Sequence, residues 1–213
     1  MPKAFIRCAG RELWEWSADV LGSVCDRVVF AVPADRVDAH TDERADGVVR
    51  AGSGASAAAV NRWSIDRVAG GAVRSESVRN ALASAPDADV VVIHDAARPF
   101  VTEELVRRCV ETIDAGADGA IAAAPVTDTI KEADTERRVT RTLDRSRLWA
   151  IQTPQAFRAD ILRRALAGDV ASATDDAMLV ESLGGDVRIV EAPPGNFKVT
   201  WPEDLARAEA LLC

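Results

Sequence analysis

DVVVIHDAARP, residues 89–99, is the stretch on which the reading of this chain turns. Residues 89–93 form a continuous apolar run, the pattern of a strand buried on both faces of a sheet. The run stops at His94-Asp95-Ala96-Ala97-Arg98-Pro99, which puts a carboxylate and an arginine at a strand end with only small residues between them. Such a pair suits a ligand carrying both hydroxyls and phosphate; the plain alternative is an Asp–Arg pair on the surface. Outward from it, apolar runs and helical periodicities alternate. RVVFAV at 27–32 is a β-branched run closed by Pro33, DGAIAAA at 118–124 is a further buried strand, and 187–191 is another. Residues 12–24 set Leu13, Trp16, Val20 and Val24 at helical spacing, and 76–84 read as a helix. Thr102 reads as an N-cap with Glu103 and Glu104 in the first turn, and helices follow at 158–167 and 175–183, the latter stopped by Gly184 and Gly185. The last helix opens on Thr200-Trp201-Pro202-Glu203, a capping-box spacing with proline near the first turn. Strands alternating with helices predict an α/β fold with an open, mostly parallel sheet, whose ligands sit at the carboxyl ends of the strands.

Composition bounds the function. A chain of 213 residues can bury a sizeable core without staples, and its 48% hydrophobic and 28% charged residues describe a folded globular protein. The net charge of −8 argues against a general nucleic-acid or membrane-surface binder but leaves room for a small anionic substrate, which needs only a few local cations. No apolar run approaches the ~18 residues of a membrane span, and the start lacks the apolar core of a signal peptide, so a cytoplasmic protein is expected. Cys8, Cys25, Cys109 and Cys213 form no CxxC pair and the only histidines are His40 and His94, so no metal site is expected from them. AGSGASAAAV at 51–60 reads as a surface loop.

Three further segments carry chemistry. Gly70-Gly71-Ala72-Val73-Arg74-Ser75-Glu76-Ser77 opens a helix with glycines that let backbone approach a flat or anionic ligand. Residues 127–144 are polar, with Thr, Ile and Val spaced through two arms around a turn at Asp134–Arg137, which predicts an exposed hairpin: either a solvated hairpin or an arm that packs on a partner subunit. The third is Asn196-Phe197-Lys198-Val199-Thr200. Of 26 cationic side chains only Lys3, Lys131 and Lys198 are lysine, and a compact ammonium is not interchangeable with a guanidinium as a point-charge ligand for phosphate.

Taken in order, PKAF (2–5), GGAVRSESV (70–78), HDAARPF (94–100), APVTDTIK (124–131), LDRSRLWAIQTPQAF (143–157), TDDA (174–177) and NFKVTWPEDL (196–205) resemble 2-C-methyl-D-erythritol 4-phosphate cytidylyltransferases of the non-mevalonate isoprenoid pathway. Ribitol-5-phosphate cytidylyltransferases are similar in layout, but DTIK and DRxxLW look more like the methylerythritol enzymes. The resemblance implies a Rossmann-like, GT-A-like nucleotidyltransferase domain over 1–213 with a dimerisation arm at 127–148, a homodimer, and CTP, methylerythritol phosphate and Mg²⁺ bound mainly through the CTP phosphates. It implies that Lys3 stabilises the transition state at the α-phosphate, and that Gly70, Gly71, Ala72 and Ser77 read cytosine and hold CTP. Asp95 and Ala96 would contact ribose and substrates, and Arg98 and Thr129 the methylerythritol phosphate. Arg145 would reach that substrate from across a dimer, while Lys198 orients the reacting phosphates with Thr153 and Thr174 nearby.

Members of that family begin with a strand and a glycine-rich loop of the type AAGxGxRxG ahead of PK, whereas Met1-Pro2-Lys3 opens this chain. An interior strand missing from a sheet leaves two ladders of orphaned backbone groups, each buried orphan costing ~1–3 kcal/mol. The neighbouring strands are then expected to close up, recruit another segment or stay unstable. Three readings follow: an active enzyme whose true start lies upstream, a catalytically dead homologue acting as a binding protein, and a nucleotidyltransferase with altered substrate.

Overall fold

The computed structural model describes residues 2–38, 65–168, 173 and 175–213; the AGSGASAAAV stretch and Thr174 lie outside them. Two short strands, β1 (Arg7–Cys8) and β2 (Arg11–Glu12), pair as a tight hairpin, turned by Ala9 and Gly10 in left-handed backbone. The chain continues through α1 (Leu13–Val24), β3 (Val28–Val32), β4 (Ile65–Ala69), α2 (Arg74–Ala83), β5 (Val90–Ile93) and α3 (Glu103–Asp114). Then come β6 (Gly119–Pro125), the hairpin strands β7 (Lys131–Ala133) and β8 (Val139–Thr142), β9 (Trp149–Arg158), α4 (Ala159–Leu166), α5 (Asp176–Ser182), β10 (Val187–Glu191) and α6 (Pro202–Leu212).

The main sheet has the order β10-β6-β9-β5. Strand β6 obeys the two-residue period of a sheet between two layers. Ile121 joins Leu82, Phe157, Leu162 and Val180 on one face, while Ala120 and Ala122 meet Leu105, Cys109 and Ile113 of α3 on the other. Helix α3 starts where its sequence says: the Thr102 side chain accepts from the Leu105 amide at 3.2 Å. At the far end of the chain Gly184 (φ +79°) closes the turn after α5.

The fold is α/β, but the sheet is mixed rather than mostly parallel. β10 runs parallel to β6, whereas β9 runs antiparallel to both β6 and β5. The sequence reading contains no strand at 149–158, because Gln152, Thr153 and Gln155 interrupt any apolar pattern; all three are nonetheless buried. Strands β3 and β4 pair with each other in parallel, and among the described residues no ladder joins them to β5. β3 and β5 have therefore not closed up against each other. A narrow cleft of about 60 Å³ lined by Trp14, Ser17, Phe30, His94 and Ala96 lies beside β3 and the end of β5.

Three local expectations are corrected. All four residues of β5 are only half-buried, not enclosed on both faces, since β9 is its one strand partner among the described residues. Helix α1 buries Leu13, Trp14, Ser17, Ala18 and Gly22 instead of the face through Trp16, Val20 and Val24. Trp14 stacks on Phe30 of β3 with ring centroids 5.0 Å apart, and Trp16 is left half-buried under the Arg11 guanidinium. At α6 the capping carboxylate is Asp204, not Glu203: it accepts from the amides of Thr200 and Trp201, both at 2.9 Å. The 127–144 hairpin is as expected, with every residue of β7 and β8 exposed and the turn made at Asp134–Arg137, where Arg137 has φ 64°.

Candidate active site

Strand β5 ends at Ile93, and the next two residues are anchored to β9. The Asp95 amide donates to Thr153 Oγ1 at 2.9 Å, and the Thr153 hydroxyl lies 3.1 Å from His94 Nδ1. The Arg98 carbonyl can only accept, so Nε2 carries a hydrogen and donates to it at 3.1 Å, and in the neutral ring Nδ1 then accepts from the Thr153 hydroxyl. A neutral imidazole is what this arrangement uses, and burial pushes His94 down to about 4.

The segment bearing Lys198 is locked to the same place. Asn196, 1% exposed, donates to Gln152 Oε1 at 2.8 Å and to the Thr153 carbonyl at 2.9 Å, and its own carbonyl accepts from Arg98 Nη1 at 2.9 Å. The Val199 amide donates to the Ala97 carbonyl at 2.8 Å. Lys198 is thereby carried to Asp95, where Nζ meets Oδ2 at 2.9 Å. Arg98 Nε lies 3.7 Å from that oxygen, and Arg74 Nε lies 3.7 Å from Asp95 Oδ1. Burial opposes the charge on Asp95, but the Lys198 hydrogen bond and the neighbouring arginines outweigh it and hold the carboxyl below its ordinary range. Lys198 keeps 44% of its side chain exposed, so the ammonium is within reach of a ligand.

The glycine loop approaches through Arg74, the first residue of α2. Glu76 lies so close to Gly71 that a Cβ there would come within 2.2 Å of it, so only glycine fits. The Gly71 amide donates to Ser77 Oγ at 3.0 Å and the Ala72 amide to Glu76 Oε2 at 2.7 Å. The Gly70 amide goes to the Val32 carbonyl, tying the loop to the end of β3. Behind Arg74 stands Asp176, whose fully buried carboxylate accepts from Arg74 Nη1.

Of the residues singled out by sequence, Asp95, Arg98, Thr153 and Lys198 converge, and Gly70, Gly71, Ala72 and Ser77 form one loop joined to them by Arg74. Ala96 packs beside Trp14 and Phe5. Lys3 is exposed in a 3-10 turn, and its charge acts on Asp204 at the cap of α6; among the described residues no hydrogen bond or ion pair joins it to Asp95 or Lys198. Arg145 and Thr129 stand apart on the exposed arm, with Arg145 donating to the Thr127 carbonyl. The larger surface hollow, about 360 Å³ between α3 and β10, lies at the opposite edge of the sheet and contains none of these residues.

The model of the family "2-C-methyl-D-erythritol 4-phosphate cytidylyltransferase" (IspD) matches residues 1–213. The chain is 42% identical to the Rhodococcus jostii protein of that name, over 99% of this chain and 87% of the relative. It is 43% identical to that of Saccharopolyspora erythraea, over 100% and 91%. Among solved structures, the Thermus thermophilus enzyme superposes with a TM-score of 0.77 at 33% identity, over 99% of this chain and 93% of that one. The 4-diphosphocytidyl-2C-methyl-D-erythritol synthase of Anaerococcus prevotii gives 0.82 at 27% identity, over 98% and 92%. The chain belongs to the IspD family. Within this IspD-family chain, Arg74, His94, Asp176 and Asn196 are parts of the site that sequence reasoning did not single out. Their decisive partners lie far away along the chain, and the one signal each carried was its place in a family-like string: Arg74 in GGAVRSESV, His94 in HDAARPF, Asp176 in TDDA and Asn196 in NFKVTWPEDL.

Proposed function

We propose that this chain transfers CMP from CTP to 2-C-methyl-D-erythritol 4-phosphate, giving CDP-methylerythritol and diphosphate. The observation that supports it most is the group of Arg74, Arg98 and Lys198 around one strand-end carboxylate, in a chain that matches the cytidylyltransferase family end to end. In the reaction a phosphate oxygen of the sugar-alcohol substrate forms a bond to the α-phosphorus of CTP. The bond from that phosphorus to the oxygen bridging the β-phosphate breaks, and diphosphate carries away the electron pair. The attacking monoester is largely dianionic at neutral pH, its second pKa being about 6. No general base is needed, so neutralising charge and holding the groups in line is the protein's task.

Each residue has a part in this reading. Gly70, Gly71, Ala72 and Ser77 hold the nucleotide, with Asp95 and Ala96 at the ribose. Lys3 stabilises charge at the α-phosphate and Lys198 orients the reacting phosphates. Arg98 and Thr129 bind methylerythritol phosphate with Thr174 nearby and Thr153 supporting the site from beneath Asp95, and Arg145 reaches that substrate from a second copy in a cytoplasmic homodimer built through the 127–148 arm. Mg²⁺ belongs to the proposal as a counter-ion to the triphosphate. In this reading Mg²⁺ would be held mainly through the CTP phosphates, and Asp95, paired with Lys198 at 2.9 Å, would be the carboxylate beside them.

The test is a coupled assay with CTP, methylerythritol phosphate and Mg²⁺, reading diphosphate release and the CDP product by mass spectrometry. Stoichiometric product is expected, lost on addition of EDTA and restored by excess Mg²⁺. Turnover of ribitol 5-phosphate alone would move the chain to the other cytidylyltransferase class. CTP binding without consumption would make it a binding protein.

A further inference from the structure

We propose that Asp176 and Arg74 are positioning residues that set the placement of Asp95 and Lys198 and tie the glycine loop to them. The inference deepens the cytidylyltransferase reading and rests on it for its catalytic readout. The geometry is a row of alternating charges drawn from four parts of the fold. The Asp176 carboxylate at the start of α5 accepts from Arg74 Nη1, at the first turn of α2. Arg74 Nε stands 3.7 Å from Asp95 Oδ1 after β5, and Asp95 Oδ2 accepts from Lys198 Nζ at 2.9 Å.

Burial distinguishes the two ends of this row. Asp176 is 0% exposed while Lys198 is 44% exposed, so the row runs from the protein interior to the surface where a ligand arrives. A carboxylate so enclosed is costly, and replacing such a pair by apolar residues is often neutral or stabilising. Stability alone therefore gives little reason for it. What the pair does supply is a fixed guanidinium. Arg74 is two-handed: with one nitrogen on Asp176 it reaches only Oδ1 of Asp95, at 3.7 Å, and stays off Oδ2, which Lys198 holds at 2.9 Å with Arg98 Nε 3.7 Å away. Without the buried carboxylate, Arg74 closes on Asp95 and competes with Lys198 for it. Because Arg74 follows directly on Gly70–Val73, the same contact sets how that loop faces Asp95. Lysine cannot replace it, having no second nitrogen to span two carboxylates.

The test uses Asp176→Asn, Arg74→Gln, their combination, and Arg74→Lys, in the full chain. With wild-type turnover established, each single substitution is expected to lower kcat at least tenfold, with KM for CTP raised as well in the Arg74 variants, where the glycine loop loses its tie to Asp95. The double variant is expected to be no worse than the poorer single one, and Arg74→Lys is expected not to rescue. Singles within twofold of wild type, or a double variant equal to the product of the singles, would overturn the proposal. The second measurement needs no turnover. With only three lysines, ¹³Cε-labelled lysine gives three signals, assigned by replacing each lysine with arginine in turn. In Asp176→Asn and Arg74→Gln the Lys198 signal is expected to move while Lys3 and Lys131 stay. An unmoved Lys198 would sink the inference even if the wild-type chain proves inactive. Should Asp176→Asn fail to fold, all three signals collapse together, and the more exposed Arg74 variants decide.

Discussion

At the scale of single residues, His94 and Lys198 make opposite predictions. His94 is a structural neutral imidazole, held by Thr153 and the Arg98 carbonyl, with burial pushing it to about 4 from an ordinary value of 6.5. Above pH 6.5 it is neutral folded or unfolded and contributes no slope. Between 6.5 and 4 the unfolded chain takes up a proton that the folded chain refuses, so stability falls as pH falls, by up to about 3 kcal/mol. Below 4 both states are protonated and this loss stops growing. The Asp95 carboxyl is held low, so its contribution is present above 3.8 and fades only at more acid pH, outside that window. Asp176, raised by burial, contributes a slope of opposite sign above 3.8, so the test is a difference: in urea unfolding across pH 4–7 the wild type is expected to lose stability relative to His94→Gln as pH falls, and identical slopes would contradict the assignment. Lys198 is the reverse case, half-exposed and ligand-facing. Lys198→Ala is expected to cost about a hundredfold or more in turnover, with unfolding free energy changed by about 0.5 kcal/mol at most. A large loss of stability at intact turnover would place it in the framework instead of the site.

Elements were legible in sequence where one physical rule acts alone. Strand β10 and the cap of α3 follow from local pattern and need no knowledge of the rest of the chain. Thr102→Ala should accordingly cost about 1 kcal/mol, read as a shift in the chemical midpoint with an unchanged slope; no shift would mean that the Leu105 amide finds another acceptor. Strand β9 was illegible because tertiary contacts override its pattern. Its buried polar residues meet particular distant partners, Thr153 with Asp95 and His94, Gln152 with Asn196, and the Gln155 amide nitrogen with Asp175, while Gln155 Oε1 has none among the described residues. Polar residues in a core look like loop until those partners are known. The same reason hid half of the site. Asp95, Arg98 and Lys198 stood out as charges at strand ends or as rare lysines, whereas Asp176 and Arg74 lie in the strings TDDA and GGAVRSESV with nothing local to pair them until the fold brings them together. The helical face of α1 is hidden from sequence for a related reason: Trp14 faces Phe30 and Trp16 faces Arg11, and spacing alone does not rank two tryptophans on neighbouring faces.

For the whole molecule the decisive question is how the arm serves the site. Every residue of β7 and β8 is exposed, Val139 by 62%, while Arg145 at the base of the arm is held by the Thr127 carbonyl, away from the cations at Asp95. An arm this polar gains little by folding back on its own domain, and the proposed homodimer gives Arg145 a site to serve on its neighbour. Under that proposal twofold symmetry would make each active site composite: Lys198 from one copy, Arg145 from the other. Arg145→Ala alone should impair the use of methylerythritol phosphate more than CTP binding, and Lys198→Ala alone should be nearly inactive. Mixing the two variants in equal amounts, with subunit exchange, regenerates one intact site in each mixed dimer. Half the dimers are mixed and each carries one good site of two, so about a quarter of wild-type turnover is expected from a mixture of two poor enzymes. If Arg145 instead acts within its own chain, every site in the mixed dimer carries one lesion and the mixture does no better than the average of its parts.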